Sequence, residues 1–327
     1  MPKNTFSDVG RIVAIGDLHG NFPGFRKILL NTGLIDKRGH WKAWNTHLIQ
    51  LGDILGRGGE PGKIFRLLKQ LEEEAPEYNS HVHVLLGNHE AMSMSGLLMY
   101  NTIEEFQDLT EQDFIEPLEI IGGTGGAGSA TPDWRPVSDR PVQDRAVRER
   151  PIPDAKYDKR MDILGCREFR ATLSPWGKVG KWLGMHDSAV IVNDSLFVHG
   201  GLNREHGCRP LDDLNQQVRR ELGTFAPPDA NRDIMLRRDG PQWNREFTLR
   251  PNAEKERELA EVLDYHGCKR MVVGHTPTSC IIPSQAGRIV PLYDEKLICI
   301  DTGIGKSYGG NLSALSLEAG EVSALYL

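Results

Sequence analysis

Three short apolar runs near the start of the chain each end in a glycine followed by a polar or ionisable residue. The runs span residues 12–15, 48–51 and 82–86, and they lead into Gly16-Asp17, Gly52-Asp53 and Gly87-Asn88. Stretches with helical spacing of apolar residues follow the first two runs, and strand alternating with helix is the α/β pattern. Such sheets bind ligands at the carboxyl ends of their strands, so these polar residues are candidate site residues.

The second half of the chain predicts further strands that end in the same way. A hairpin is expected over 189–192 and 196–198, leading into His199, and runs at 271–273 and 297–300 lead into Gly274-His275 and Asp301. The segments 312–317 and 322–327 predict a closing hairpin. We expect strands from both halves to pack face to face with helices outside, as a single α/β domain over 1–327. Two separate domains are the alternative.

Residues 122–160 differ in composition from the rest of the chain. They are rich in glycine and proline, carry mixed charge and offer few core residues. Such a segment buries too little apolar surface to offset its ordering entropy, which predicts a mobile surface insertion. A lid or specificity loop is the alternative, because long loops in compact domains are often functional.

Charge and composition exclude several classes of protein. With 39 basic and 45 acidic residues the formal net charge is -6, which argues against mainly electrostatic binding of nucleic acid. No apolar run approaches the roughly 18–20 residues that span a bilayer, so no membrane association is expected. The five cysteines form no CxxC pair, and the first residues lack the apolar core of a signal peptide. We therefore expect a cytoplasmic protein.

The predicted strand ends bring a set of metal-binding residue types to one place. They are Asp17, His19, Asp53, Asn88, His89, His199 and His275. Adjacent buried carboxylates repel unless a cation is present, and imidazole with carboxylate suits divalent transition metals. The set is too large for one tetrahedral ion with an open position. Two ions sharing Asp53 fit it, and such a pair, about 3.5–4 Å apart, can clamp a phosphoryl oxygen and hold a bridging hydroxide.

The ordered motifs resemble those of the calcineurin-like metallophosphoesterases, in particular the phosphoprotein phosphatase group and its Shewanella-like branch. The resemblance extends over residues 11–317 apart from the insertion. It is carried by Gly-Asp-x-His-Gly at 16–20, Gly-Asp-Ile-Leu-Gly-Arg-Gly at 52–58, Gly-Asn-His-Glu at 87–90, Val-His-Gly-Gly at 198–201, Gly-Pro-Gln-Trp at 240–243, Gly-His at 274–275 and Tyr-Gly-Gly at 308–310.

The resemblance implies a fold, a cofactor and a reaction. The fold is a four-layer αββα sandwich of two mixed sheets flanked by helices, and the cofactor is two divalent metal ions, manganese first, with iron or zinc as alternatives. The reaction is hydrolysis of phosphomonoesters on a protein or peptide, phosphotyrosine before phosphoserine and phosphothreonine, by direct attack of a metal-bridging hydroxide. The implied metal ligands are Asp17, His19, Asp53, Asn88, His199 and His275.

The resemblance also implies roles outside the ligand set. His89 is the expected general acid for the leaving oxygen, and Arg57 is the expected phosphate-binding arginine. Arg245 is either a second phosphate-binding arginine or an ordinary ion-pair partner at the surface. Tyr308 is either an aromatic residue of the last active-site loop or a packing residue.

One position departs from the pattern of the group. Where the common motif has an aspartate that orients the acid histidine, this chain has Gly56. Glu90 and Asp301 are candidate substitutes for that carboxylate. Loss of the orienting group should weaken control over the tautomer and protonation of His89. Two other functions stay open: a small-molecule or nucleotide phosphoesterase on the same scaffold, and a metal-dependent binding module without catalysis.

Overall fold

A computed structural model describes residues 3–110, 114, 165–224, 229 and 232–327. The insertion predicted at 122–160 lies outside these residues, and the single-domain organisation stays a prediction. The strands are β1 (Thr5–Phe6), β2 (Arg11–Ile15), β3 (Thr46–Gln50), β4 (His81–Val84), β5 (Ala189–Val192), β6 (Ser195–Val198), β7 (Arg270–Val273), β8 (Val290–Leu292), β9 (Leu297–Cys299), β10 (Ser313–Glu318) and β11 (Glu321–Tyr326).

The α-helices of the described residues follow β2, β3, β4, β6 and β7. They are α1 (Phe22–Asn31), α2 (Pro61–Glu74), α3 (Asn88–Met94), α4 (Ile103–Asp108), α5 (Cys166–Leu173), α6 (Lys178–Leu183), α7 (Arg204–Gly207), α8 (Leu211–Gly223), α9 (Glu246–Leu249), α10 (Ala253–His266) and α11 (Thr278–Ile281). Short 3₁₀ helices lie at Ala75–Tyr78, Ile234–Leu236, Pro283–Gln285 and Lys306–Tyr308. Gly267, in left-handed conformation, ends α10. No helix in the described ranges is long and apolar enough to cross a membrane.

In the described part of the chain the strands form two mixed sheets. One has the order β1-β5-β6-β7-β9-β8, and the other has the order β11-β10-β2-β3-β4. Within them β2, β3 and β4 run parallel, as do β6, β7 and β9. Parallel pairing aligns the carboxyl ends of these strands, so the glycine-polar segments that follow them reach the same edge of each sheet.

Two apolar layers explain why the central strands are hydrophobic on both faces. Between the sheets, Ile12, Ala14 and Ile49 of one pack with Phe197 and Val272 of the other. The opposite faces pack against the helices in a second core. The two sheets thus lie face to face with helices outside, which confirms the predicted class of two mixed sheets flanked by helices. The two predicted hairpins are present, whereas β1, which pairs in parallel with β5, was not predicted.

The core between the sheets yields a stability prediction. Phe197 is fully buried there, so Phe197→Ala should lower the free energy of unfolding by about 3–5 kcal/mol through lost burial and a residual cavity. Trp44→Ala is the matched control, because this ring is 69% exposed and its loss should cost less than about 0.5 kcal/mol. Urea unfolding of both variants measures the difference, and equal costs would contradict the assignment of Phe197 to the core.

Candidate metal centre

Four of the predicted site residues have left-handed backbone conformations that side chains other than glycine seldom adopt. Their φ angles are +44° at His19, +52° at Asp53, +68° at Arg57 and +62° at His275. Each such residue costs on the order of 1–3 kcal/mol and persists only where its surroundings hold it. Strain of this kind, collected at the ends of several strands, is typical of a functional site.

The buried carboxylate of Glu90 joins the loop after β3 to the loop after β4. Glu90 accepts hydrogen bonds from the backbone N–H groups of Asp53, Ile54, Leu55 and Gly87, at 2.8–2.9 Å. It occupies the third position of α3, where a glutamate commonly bonds back to the start of its own helix. The candidate role of Glu90 as the partner of His89 is therefore wrong, because its carboxylate is taken up by the loop after β3.

Hydrogen bonds join the loop after β2 to the loop after β3. The carbonyl oxygen of Asp53 accepts from Leu18 N at 3.0 Å and from His19 N at 2.9 Å. The imidazole of His19 also lies with Nδ1 at 3.0 Å from the carbonyl oxygens of Leu55 and Gly56. A proton on Nδ1 satisfies these acceptors and leaves the lone pair on Nε2 for a ligand.

The ring of His199, which follows a strand of the other sheet, is also oriented by a backbone carbonyl. Its Nδ1 lies 2.8 Å from the carbonyl oxygen of Leu51, and its Nε2 lies 3.3 Å from Oδ1 of Asp53. The backbone carbonyl of Leu51, directly after β3 in one sheet, thus orients His199, which follows β6 in the other sheet. This contact brings the two halves of the predicted site together.

Two groups of possible metal ligands converge, and Asp53 belongs to both. Ligand atoms of His19, Asp53 and His89 lie within 4.8 Å of one another, as do those of Asp53, His199 and His275. A shared Asp53 is what the sequence predicts for two ions. The first group contains His89, which is not among the predicted ligands, and Asp17, which is, belongs to neither group.

Asp17 lies beside the second group. Both of its oxygens face the backbone N–H of His275, at 3.0 and 3.2 Å. Burial, Asp301 and Asp53 together raise the pKa of Asp17 well above its usual value. Asp301 is buried as well, and its pKa rises to about 6. Three carboxyl groups therefore share a small buried volume.

The side-chain amide of Asn88 lies among nitrogen and oxygen atoms that have the chemistry of metal ligands. Its Oδ1 lies 3.0 Å from Nδ1 of His275, 3.1 Å from Nε2 of His199, and 3.2 and 3.3 Å from the two oxygens of Asp53. When both ring nitrogens are unprotonated, all of these groups present lone pairs, and they repel unless the amide is turned over or a cation lies among them. Nitrogen and oxygen donors in this combination suit a divalent transition metal.

The imidazoles at the site are neutral at neutral pH. Burial lowers the pKa of His19 to about 4 and that of His199 to about 3. Burial also lowers the pKa values of His89 and His275 well below the usual value. Neutral imidazole is the form that binds a metal ion, so the protonation state fits the proposed cofactor.

The ring of His89 fills the space that an orienting side chain at position 56 would need. A Cβ added at Gly56 would overlap Nδ1 of His89 and would lie 2.6 Å from its Cε1. The ring instead packs edge-on against His19, with centroids 4.9 Å apart, and lies 5.2 Å from Tyr100. Its Nε2 is 3.8 Å from Oδ2 of Asp53. No contact between His89 and Asp301 is found among the described residues.

Arg57 lies between two tyrosine rings at the mouth of the site. Its guanidinium carbon is 4.7 Å from the centroid of Tyr100 and 5.3 Å from that of Tyr308. Tyr308 also stacks on His19, with centroids 5.2 Å apart. Tyr308 therefore contacts the predicted site residues directly. Tyr100 was missed, because it belongs to none of the strand-end motifs.

Arg245 lies at the side of the site that carries His275. Burial raises the pKa of Asp17 and lowers that of His275, and the positive charge of Arg245 opposes the first shift and adds to the second. Trp243, two residues earlier, packs edge-on against His275 with centroids 5.8 Å apart. Arg245 thus acts electrostatically on two predicted ligands, and its phosphate-binding role stays a prediction.

Comparison with known proteins gives one family. The model of the calcineurin-like phosphoesterases matches residues 10–279. The chain is 30% identical over 329 residues to Shewanella-like protein phosphatase 2 of Arabidopsis thaliana, covering 95% of this chain and 75% of the relative. It is 28% identical to Shewanella-like protein phosphatase 1 of Plasmodium berghei, covering 82% of this chain and 61% of the relative.

Solved structures agree with the fold. The cold-active protein-tyrosine phosphatase of a psychrophilic Shewanella species superimposes with a TM-score of 0.70 at 22% identity, covering all of this chain and 82% of that one. A protein serine/threonine phosphatase of Saccharomyces cerevisiae has a TM-score of 0.57 at 13% identity, covering 99% and 83%. At these identities the likeness establishes the fold alone.

The contact between Gly56 and His89 predicts that no side chain is tolerated at this position. Gly56→Ala and Gly56→Asp should each lower the free energy of unfolding by about 1–3 kcal/mol or more, since φ is +77° and the new Cβ overlaps the His89 ring. Gly59→Ala is the control, because its nearest contact would be at 3.6 Å. Denaturant unfolding measures all three, and a Gly56→Asp variant as stable as the parent would show that His89 can move aside.

The crowded carboxylates predict that Asp53→Asn stabilises the metal-free protein and weakens metal binding. The folded pKa of Asp53 is raised, so the metal-free protein loses stability as pH rises from about 4 through that pKa. The substitution should therefore stabilise the metal-free protein at pH 7, by on the order of 1 kcal/mol, and abolish most metal binding. Unfolding in EDTA and elemental analysis measure the two effects. Asp294→Asn, at an exposed carboxylate, should change neither.

Proposed function

The chain belongs to the calcineurin-like phosphoesterase family and to its Shewanella-like protein phosphatases, and on that premise we propose that it hydrolyses phosphotyrosine in proteins or peptides in preference to phosphoserine and phosphothreonine. Phosphatase activity follows from the family. The observation that carries the proposal is that Arg57 lies beside two groups of possible ligands that share Asp53, the first of which includes His89.

The donor set determines where the cofactor would bind. Two divalent ions, manganese before iron or zinc, would be held by Asp17, His19, Asp53, Asn88, His199 and His275. When bound, such ions lower the pKa of a water molecule and neutralise charge on the phosphate. Asp53, which belongs to both ligand groups, would bridge them.

His89 is the residue that we assign to proton transfer. Its ring faces Tyr100 and lies on the side of the site that carries Arg57. Burial keeps the pKa of His89 low in the free protein. A bound phosphate dianion favours the protonated imidazole, because an opposite charge nearby stabilises the charged form. The substrate itself would thus help to charge the acid that protonates the leaving oxygen.

The two arginines would bind the phosphate from different sides. Arg57 is held in place by the rings of Tyr100 and Tyr308, and its planar guanidinium can donate to two phosphate oxygens at once. Arg245 would donate from the side of His275. Fixed donors of this kind stabilise charge that spreads over the phosphoryl oxygens in the transition state.

Two features favour an aromatic leaving group. Tyr100, Trp243 and Tyr308 are partly exposed at the rim, where they can pack against a phenyl ring. His89 lacks the carboxylate partner that the common motif supplies, since Gly56 stands there. Weaker control of the acid penalises alkoxide leaving groups more than phenoxide, because phenoxide is the weaker base.

A phosphopeptide panel tests the substrate preference. The metal-loaded full chain should show a kcat/KM at least about tenfold higher for a phosphotyrosine peptide than for phosphoserine and phosphothreonine peptides of the same sequence. Turnover of dinucleoside polyphosphates alone would overturn the proposal in favour of a nucleotide phosphoesterase. Absence of turnover on all of these and on p-nitrophenyl phosphate would favour a binding module.

His89→Asn tests the proton-transfer role. The variant should retain its metal and lose about 100- to 10,000-fold in kcat on a phosphoserine peptide, but less on p-nitrophenyl phosphate, whose leaving group needs little protonation. His40→Asn, at an exposed histidine, should leave both rates unchanged. An equal loss on the two substrates would exclude His89 as the acid.

A further inference from the structure

A short loop that carries Arg57 is held by one neighbouring segment of the chain. We name residues 56–58 the arginine loop. Its three backbone N–H groups all donate to residues between 100 and 105: Gly56 N to Oε2 of Glu105 at 3.1 Å, Arg57 N to the carbonyl oxygen of Tyr100 at 3.0 Å, and Gly58 N to Oε1 of Glu105 at 3.0 Å. The two oxygens of Glu105 therefore bind on either side of Arg57.

We propose that Glu105 is a positioning residue that holds Arg57 in the conformation that binds the substrate phosphate. The inference rests on the phosphate-binding role proposed for Arg57. It adds a residue that lies outside the metal ligands and outside the strand-end motifs.

The backbone of the arginine loop explains why such a hold is needed. Gly56 and Arg57 are consecutive residues in left-handed conformation, with φ angles of +77° and +68°. An arginine pays a steric penalty there that glycine avoids, so the loop without its partners would relax to another conformation. Relaxation would rotate the Arg57 side chain away from Tyr100 and Tyr308.

The surroundings of Glu105 show that its carboxylate is itself held in place. The side chain is fully buried, and Oε2 also accepts from Nδ2 of Asn101 at 2.8 Å. Thr102 caps α4 by accepting from Glu105 N and donates its hydroxyl to the carbonyl oxygen of Gly58, both at 3.4 Å. Capping of α4 does not require bonds to a separate loop, so the two bonds to the arginine loop call for another explanation.

The fold also loses stability by keeping this carboxylate buried. Desolvation raises the pKa of Glu105 to about 7 even though it accepts several hydrogen bonds. A glutamine would avoid this cost but has only one acceptor oxygen, whereas the arginine loop presents an N–H to each oxygen of the carboxylate. Retention of a costly group with a specific geometry is typical of functional sites.

The test is a double-mutant cycle between Glu105 and Arg57 in the manganese-loaded full chain. Glu105→Gln should raise KM for p-nitrophenyl phosphate and the inhibition constant of inorganic phosphate about tenfold, with kcat lowered less than about threefold, because one charge-assisted bond to the loop is lost. Metal content should be unchanged. In the Arg57→Ala background the same substitution should change these constants by less than about twofold.

Glu104→Gln is the matched control, because this exposed neighbour undergoes the same change of charge. Asn101→Ala is a second variant that keeps the test decisive if Glu105→Gln does not fold, and it should raise KM about threefold. Equal losses from Glu105→Gln in both backgrounds would overturn the proposal, as would an unchanged affinity for phosphate. If the parent protein hydrolyses no phosphoester, the proposed function fails, and calorimetric phosphate affinity of the same variants still decides the role of Glu105.

Discussion

The site depends on buried carboxylates that bind backbone N–H groups. Glu90 gathers four of them from the loop after β3 and the start of α3, and so fixes Asp53 and the start of the helix that carries His89 relative to each other. Neither loop could satisfy these donors with water, because the region is buried. The strained conformations of Asp53 and its neighbours are thereby stabilised by hydrogen bonds that form only when both loops are in place.

The carboxylates that would bind metal lower the stability of the metal-free protein. Asp17, Asp53 and Asp301 share a buried volume in which their pKa values are raised, and the imidazoles beside them are neutral. Without a cation these groups lower the stability of the fold, and with one Asp17, Asp53 and the imidazoles would be its ligands. The same acceptor-rich volume that costs folding free energy would therefore supply affinity for a divalent ion. A globally acidic chain can in this way present a cationic pocket to a phosphate.

Strand-end motifs made most of the site predictable from the sequence. Asp17, Asp53, His199 and His275 follow strands whose apolar runs are continuous, and parallel pairing aligns those ends at one edge. Tyr100 and Glu105 follow no strand, and their contacts with the arginine loop arise only from how α4 packs. The overlap between a side chain at position 56 and the His89 ring is likewise a property of the folded loop. Local patterns therefore gave the ligand types, whereas supporting contacts required the tertiary structure.

Gly56 bears on the proposed substrate preference through its contact with His89. In the common motif an aspartate at this position would hold the acid histidine through its other ring nitrogen, but here that nitrogen faces the backbone of Gly56. His89 is instead confined by the rings of His19 and Tyr100, which restrict its orientation without adding negative charge. A confined imidazole without a carboxylate partner is a weaker base and is protonated less readily. Such an acid suffices for a phenoxide leaving group better than for an alkoxide, so absence of the aspartate is a physical reason for the proposed preference for phosphotyrosine.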